Sequence, residues 1–155
     1  MRAILAPHVD EEVVAGQWFR PAHTMEDDGL RAFRFLRRRL SSGEHIADRI
    51  RGWNVLVLTP TRLLVFTART VRATPPVVAK KLIGSWPLSE VSVKHKGRKV
   101  TSHFHGSGNS WAYSSRVRRA TLEFAGDERP LVIDFPDDPL AKELLNGAAD
   151  RSGTG

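Results

Sequence analysis

Two periodicities divide the chain. Over about residues 26–40, Leu30, Phe33, Leu36 and Leu40 recur at helical spacing while Arg31, Arg34 and Arg38 fall on other faces, the pattern of an amphipathic helix. Thr24 with Asp27 forms a capping-box-like start, acids fill the first turn, arginines fill the last, and Ser41, Ser42 and Gly43 end it. From Glu44 the period changes to alternation in short runs bounded by turn residues, which reads as antiparallel sheet. Strands are predicted at 45–50, 55–58, 63–67, 83–86, 90–96, 99–105, 118–124 and 131–135. Thr59, Pro60, Thr61 and Arg62 suit a hairpin loop, Gly97 and Arg98 a two-residue one, and 70–78 and 106–110 read as loops.

A hairpin at Gly97 sets Lys96 opposite Lys99. The core face is then Val91, Val93, His95, Val100, Ser102 and Phe104, and the solvent face Ser92, Lys94, Lys96, Lys99, Thr101, His103 and His105. A slip of one residue exchanges the faces. Near the end, Asp137 and Asp138 precede Pro139, and Leu140, Leu144 and Leu145 make one side of a second helix closed by Asn146 and Gly147. Residues 148–155 read as a disordered tail. At the other end Pro7, Gly16 and Pro21 interrupt the apolar residues Val13, Val14, Trp18 and Phe19, so the first 23 residues read as an irregular arm. No internal repeat is present.

The length of 155 residues predicts one domain, and 41% hydrophobic against 26% charged residues excludes a wholly disordered chain. No apolar run approaches the ~20 residues of a membrane-spanning helix, and Met1 to Pro7 is too short for a signal peptide. The expectation is a soluble, cytoplasmic protein. The absence of cysteine excludes disulfides, thiolate catalysis and cysteine-held metals.

Charge adds a further division. Residues 29–119 hold nineteen Lys and Arg against three acids, whereas 1–28 and 120–155 are both net acidic. A basic middle between acidic ends points to an anionic partner, with the ends available to screen it. Arginines outnumber lysines 18 to 6, which suits bidentate phosphate contacts and equally suits a G+C-rich gene.

The order of segments resembles the pleckstrin-homology-like superfamily, in particular its GRAM and bacterial PH branches. Gly43 and Glu44 open the sheet region, and Val55, Leu56, Val57, Leu58 and Thr59, followed by Arg62, Leu63, Leu64, Val65 and Phe66, match its hairpin with a threonine turn. Trp86, Pro87, Leu88, Ser89, Glu90 and Val91 resemble the lead-in to the next strand, and the pair 118–124 and 131–135 runs into the terminal helix. The likeness covers residues 43–147, leaving 1–42 as an N-terminal arm and helix outside the family pattern. It implies a mainly β fold with flanking helices, a bent antiparallel barrel of about seven strands capped by the C-terminal helix. It also implies a non-enzymatic module that binds phospholipid headgroups or protein segments, with no cofactor.

Lys94, Lys96, Arg98 and Lys99, helped by Arg116, Arg118 and Arg119, are the candidate site for an anionic headgroup or a partner. They resemble the cationic cluster of lipid-binding PH domains but fall later in the strand order, and a solvated hairpin tip is the ordinary alternative. The arginines of 31–39 could meet a membrane surface or simply flank a packed helix. His103 and His105 share a predicted face but lack further metal ligands. Trp18, Trp53, Trp86, Trp111 and Tyr113 could stack nucleic-acid bases, although their irregular spacing favours packing. No G-x-S-x-G elbow, phosphate-binding P-loop or H-E-x-x-H is present, so no catalytic residue is assigned. The expected partner is a protein segment or an anionic membrane surface, engaged peripherally at the inner face of the membrane; nucleic acid is the alternative.

Overall fold

The structure, a computed structural model, describes residues 9–22, 45–50, 53–71 and 74–152. The helix expected over 26–40, with its arginines, lies outside them, as do Gly43 and Glu44. Among the described residues there are seven antiparallel strands: β1 (Ala15–Pro21), β2 (Asn54–Leu58), β3 (Arg62–Val71), β4 (Thr74–Pro87), β5 (Val91–Gly106), β6 (Asn109–Phe124) and β7 (Leu131–Pro136). A one-turn helix α1 (Ile46–Arg49) precedes β2, a 3-10 turn (Leu88–Glu90) joins β4 to β5, and α2 (Pro139–Ser152) follows β7. The sheet order is β4-β3-β2-β1-β7-β6-β5, so among the described residues β4 and β5 are the edges and the sheet is not closed into a barrel. Mainly antiparallel β structure with a C-terminal helix agrees with the patterning.

The residues read as an irregular arm contain the central strand. Ala15 to Phe19 of β1 pair with β2, and Arg20 and Pro21 pair with Asp134 and Ile133 of β7. Gly16 and Pro21 hid this strand, but Pro21 sits at its end, where the lack of an N–H is tolerated. Alternation along β1 sends Phe19 into the main core and Trp18 to the opposite side.

The main core gathers Phe19, Leu56, Leu58, Leu63, Val65, Leu122, Phe124, Ile133 and Phe135 under Leu144 and Leu145 of α2. A second cluster of Val55, Val57, Leu64 and Phe66 lies on the reverse side of β2 and β3, packed by Trp18, Trp53, Val9 and Val13. This two-sided burial explains why β2 reads as an unbroken apolar run.

The helix α2 is capped as the aspartates before Pro139 predict: Asp138 Oδ1 accepts from Ala141 N at 2.8 Å. Its carboxylate also accepts from the side chain of buried Gln17 at 2.9 and 3.2 Å, fixing the helix start to β1. The helix does not stop at Gly147. It continues to Ser152, with Ala148 buried, so residues 148–152 are not a disordered tail. Gly147 serves close packing instead, since a Cβ there would lie 3.1 Å from Leu58 Cδ2.

Three local expectations are corrected. Residues 45–50 form α1 rather than a strand, because His45 Nδ1 accepts from Ala47 N at 3.0 Å and caps the turn while Ile46 and Ile50 enter the core. Of the supposed loop 70–78, residues 70 and 71 belong to β3 and 74–78 to β4. Gly97 makes no turn: β5 runs straight through it, and the chain reverses at Ser107 and Gly108, where Gly108 has φ of 88°. The pairing of 90–96 with 99–105 is therefore replaced by Val91 opposite Phe124 through Gly106 opposite Asn109. The turn at Thr59 is as expected, with Thr59 N donating to Arg62 O and Arg62 N to Thr59 Oγ1.

Across the open side, Trp86 of β4 stacks on Phe124 of β6 with centroids 4.3 Å apart. The indole folds back over Gly84, where any Cβ would overlap the ring. Replacing Gly84 with Ala is expected to push Trp86 off Phe124 and lower stability by about 1–3 kcal/mol, read as a shifted urea midpoint; an unchanged midpoint would refute this role for the stack.

Residues 9–14 are tied to the β2–β3 turn by Val14 N on Leu58 O and by Thr61 Oγ1, which donates to Glu11 Oε2 at 2.8 Å. Hydrogen bonds from Thr59 and Thr61 hold the Glu11 carboxyl below its ordinary value. A carboxyl lowered in the folded state stabilises fully above its unfolded pKa and loses that contribution as pH falls through the folded one. Acidification from about pH 6 to about pH 3 should therefore cost the native protein more stability than Glu11→Gln, as thermal melts of the two at each pH would reveal.

Candidate functional site

Strand β7 accompanies β6 only from Val117 to Leu122, whereas the β5–β6 ladder continues to the turn at Ser107. Beyond Val117 the two strands project as a two-stranded ribbon, with β5 as the sheet edge. All seven predicted site residues lie along this hairpin, but the structure sorts them into different environments.

Three are occupied by acids. Arg119 donates through Nε and Nη2 to both oxygens of Asp134 at 2.8 Å, its side chain only 10% exposed, so it is a structural ion pair. Arg118 Nη2 donates to Asp137 Oδ1 at 2.9 Å and Nη1 lies 3.3 Å from His95 Nδ1. His95 Nε2 in turn lies 2.9 Å from Asn146 Oδ1, linking β5 to the middle of α2. With Nδ1 accepting from the guanidinium, Nε2 carries the hydrogen donated to Asn146. Lys94 bonds both oxygens of Glu123 at 3.2 Å, an exposed pair that contributes little to stability.

The remaining four, Lys96, Arg98, Lys99 and Arg116, are exposed and have no acidic partner among the described residues. They are close in sequence register yet do not converge. The ladder has no bulge, so alternation places Gly97 with Arg118, Lys99 with Arg116 and Thr101 with Ser114 on the side that continues the core face of Val91 and Val93. Lys96 with Arg119, Arg98 with Val117 and Val100 with Ser115 fall on the reverse side. The sequence reading had put Lys99 with Lys96, because it placed a turn between them. It had also counted Val100 and His95 on one face, which continuous pairing separates.

On the reverse side, near the ribbon end, Tyr113 is 62% exposed. Sequence reasoning weighed it only as a base-stacking residue; its separation from the core became visible once β6 was known to outrun β7. The tryptophans whose side chains are described are packed: Trp18 meets Trp53 edge-on at 4.6 Å, Arg20 lies 4.4 Å over Trp53, and Trp86 stacks on Phe124. Positions 103 and 105 pair with Ala112 and Ser110 in the ladder. Among the described residues no three His, Asp or Glu converge as metal ligands. A groove between α2 and the start of β1 is lined by Val14, Leu58, Glu143, Asp150 and Arg151, mixing both charges. No helix among the described residues is long and apolar enough to cross a membrane.

Comparison with protein-family models, with curated proteins and with solved structures finds no match, so the functional argument rests on the geometry of this chain.

Because Arg119 and Asp134 are both nearly buried, removing one strands the other's charge. Arg119→Ala should lower unfolding free energy by about 3 kcal/mol, whereas Lys94→Ala should change it by less than ~1 kcal/mol. Equal effects in chemical denaturation would contradict this division between structural and surface cations.

Proposed function

We propose that the chain is a non-catalytic, pleckstrin-homology-like binding module that docks peripherally on an anionic phospholipid surface through the β5–β6 ribbon. The class is supported by six antiparallel strands within residues 43–147, joined by β1 from outside that range and followed by a helix that packs on the core. The ligand is supported by one observation above the others: four exposed cations, Lys96 and Arg98 on the edge strand β5 at the base of the ribbon and Lys99 and Arg116 on the ribbon itself, have no acid among the described residues to neutralise them. Neighbouring cations that serve the fold are each given an acid, Arg119 by Asp134 and Arg118 by Asp137. Exposed charge of one sign on a protruding ribbon is available to a surface in a way that a paired charge is not.

Near an anionic bilayer each such cation contributes roughly 1 kcal/mol, so four together supply a binding energy that salt should weaken steeply. Co-sedimentation with phosphatidylserine vesicles is expected, with none on phosphatidylcholine vesicles. Replacing all four cations with Ala should reduce vesicle affinity by roughly a hundredfold or more with the fold intact by circular dichroism. Unchanged vesicle affinity in that variant would overturn the site. No vesicle binding by the native protein, with binding to a short nucleic acid or an acidic peptide instead, would overturn the membrane reading.

A further inference from the structure

The two pairs of unneutralised cations are not equally accessible to a flat surface. Lys99 and Arg116 share the side of the ribbon on which α2 packs: His95 on that side bonds Asn146 of α2, and Arg118 bonds Asp137 just before the helix. A helix adds about 10 Å of height over the sheet it covers, so a planar surface approaching from that side meets α2 before it reaches the base of the ribbon. Lys96 and Arg98 lie on the reverse side, exposed, next to Lys94, which is paired with Glu123. Four ladder positions further toward the tip from Arg98, the same side presents Tyr113, opposite Ser102 and 62% exposed. An exposed tyrosine beside cations is the composition of an interfacial contact, its ring entering the headgroup layer while its hydroxyl stays hydrated.

Resting on the membrane-docking reading above, we propose that the ribbon meets an anionic bilayer with this reverse side only, Tyr113 entering the interface and Lys96 and Arg98 contacting the headgroups, while Lys99 and Arg116 face away. The attachment is thus one-sided and sets an orientation, with α2 on the far side of the ribbon from the lipid.

The absence of cysteine in the sequence makes the test direct, because one introduced thiol gives one label. Single substitutions Ala112→Cys, Tyr113→Cys, Ser114→Cys and Ser115→Cys walk across both sides of β6. Each would carry an environment-sensitive fluorophore and be mixed with phosphatidylserine vesicles containing a lipid-borne quencher. The expected result is a two-residue period, with quenching at 113 and 115 and little at 112 and 114. In parallel, the Lys96→Ala, Arg98→Ala double variant should lose about tenfold or more in vesicle affinity, and Lys99→Ala, Arg116→Ala far less. Vesicle binding with quenching at 112 and 114, or at all four positions alike, would overturn the orientation while leaving the membrane reading intact. Equal losses from the two double variants would do the same. Failure of the native protein to bind any vesicle would remove the membrane reading itself, and the orientation with it.

Discussion

The fold depends on β1 pairing in two directions. Its first five residues complete the β2–β3–β4 half of the sheet, and its last two hold β7, which carries β6 and β5. Because one strand serves both halves, the sheet folds over a single interior into which Phe19, Leu56, Leu122 and Ile133 point together. The same strand places Gln17 where its side chain reaches Asp138, so that the residue capping α2 is also the residue anchoring it. A buried amide joined to a helix-capping carboxylate satisfies groups that would otherwise be costly to bury. The apolar face of α2 then covers the core from the side on which the sheet is open.

The distribution of acids explains why a cationic ribbon emerges from this framework. Asp134 and Asp137 come from β7 and the residue following it, and each neutralises an arginine of β6 that lies beside it. Where β7 ends at Pro136, no further strand among the described residues runs alongside β6 on that side to supply carboxylates. The charge imbalance of the central sequence is thus converted by strand length into a local one. On β6, Arg118 and Arg119, level with β7, become part of the structure, whereas Arg116, one position beyond it, is exposed with no acidic partner among the described residues.

Much of the sheet was legible because its strands carry regular alternation between turn residues: β2, β3, β7, the Thr59 turn and the Asp138 cap all follow from local chemistry. What was not legible came from glycine and proline acting against their usual meaning. Gly97 lies inside a strand, Gly147 lies inside a helix against Leu58, and Pro21 ends a strand that its neighbour Gly16 had obscured. Each residue is chosen for space or position, and a sequence without its tertiary partners does not reveal which. The candidate site was read with the wrong geometry. The false turn at Gly97 gathered Lys96 and Lys99 on one face, whereas continuous pairing separates them, and the roles of Arg118 and Arg119 depended on acids fifteen or more positions away in sequence.

The edge position of β5 gives its cations a second consequence. A sixteen-residue strand with one unpaired side is a template on which another chain can add itself, and such edges drive unwanted assembly when they are long and uncharged. Lys94, Lys96 and Arg98 stand at alternate positions along that edge, so two copies approaching edge to edge would bring like charges into opposition. The exposed cations along β5 thus oppose edge-to-edge pairing of two copies.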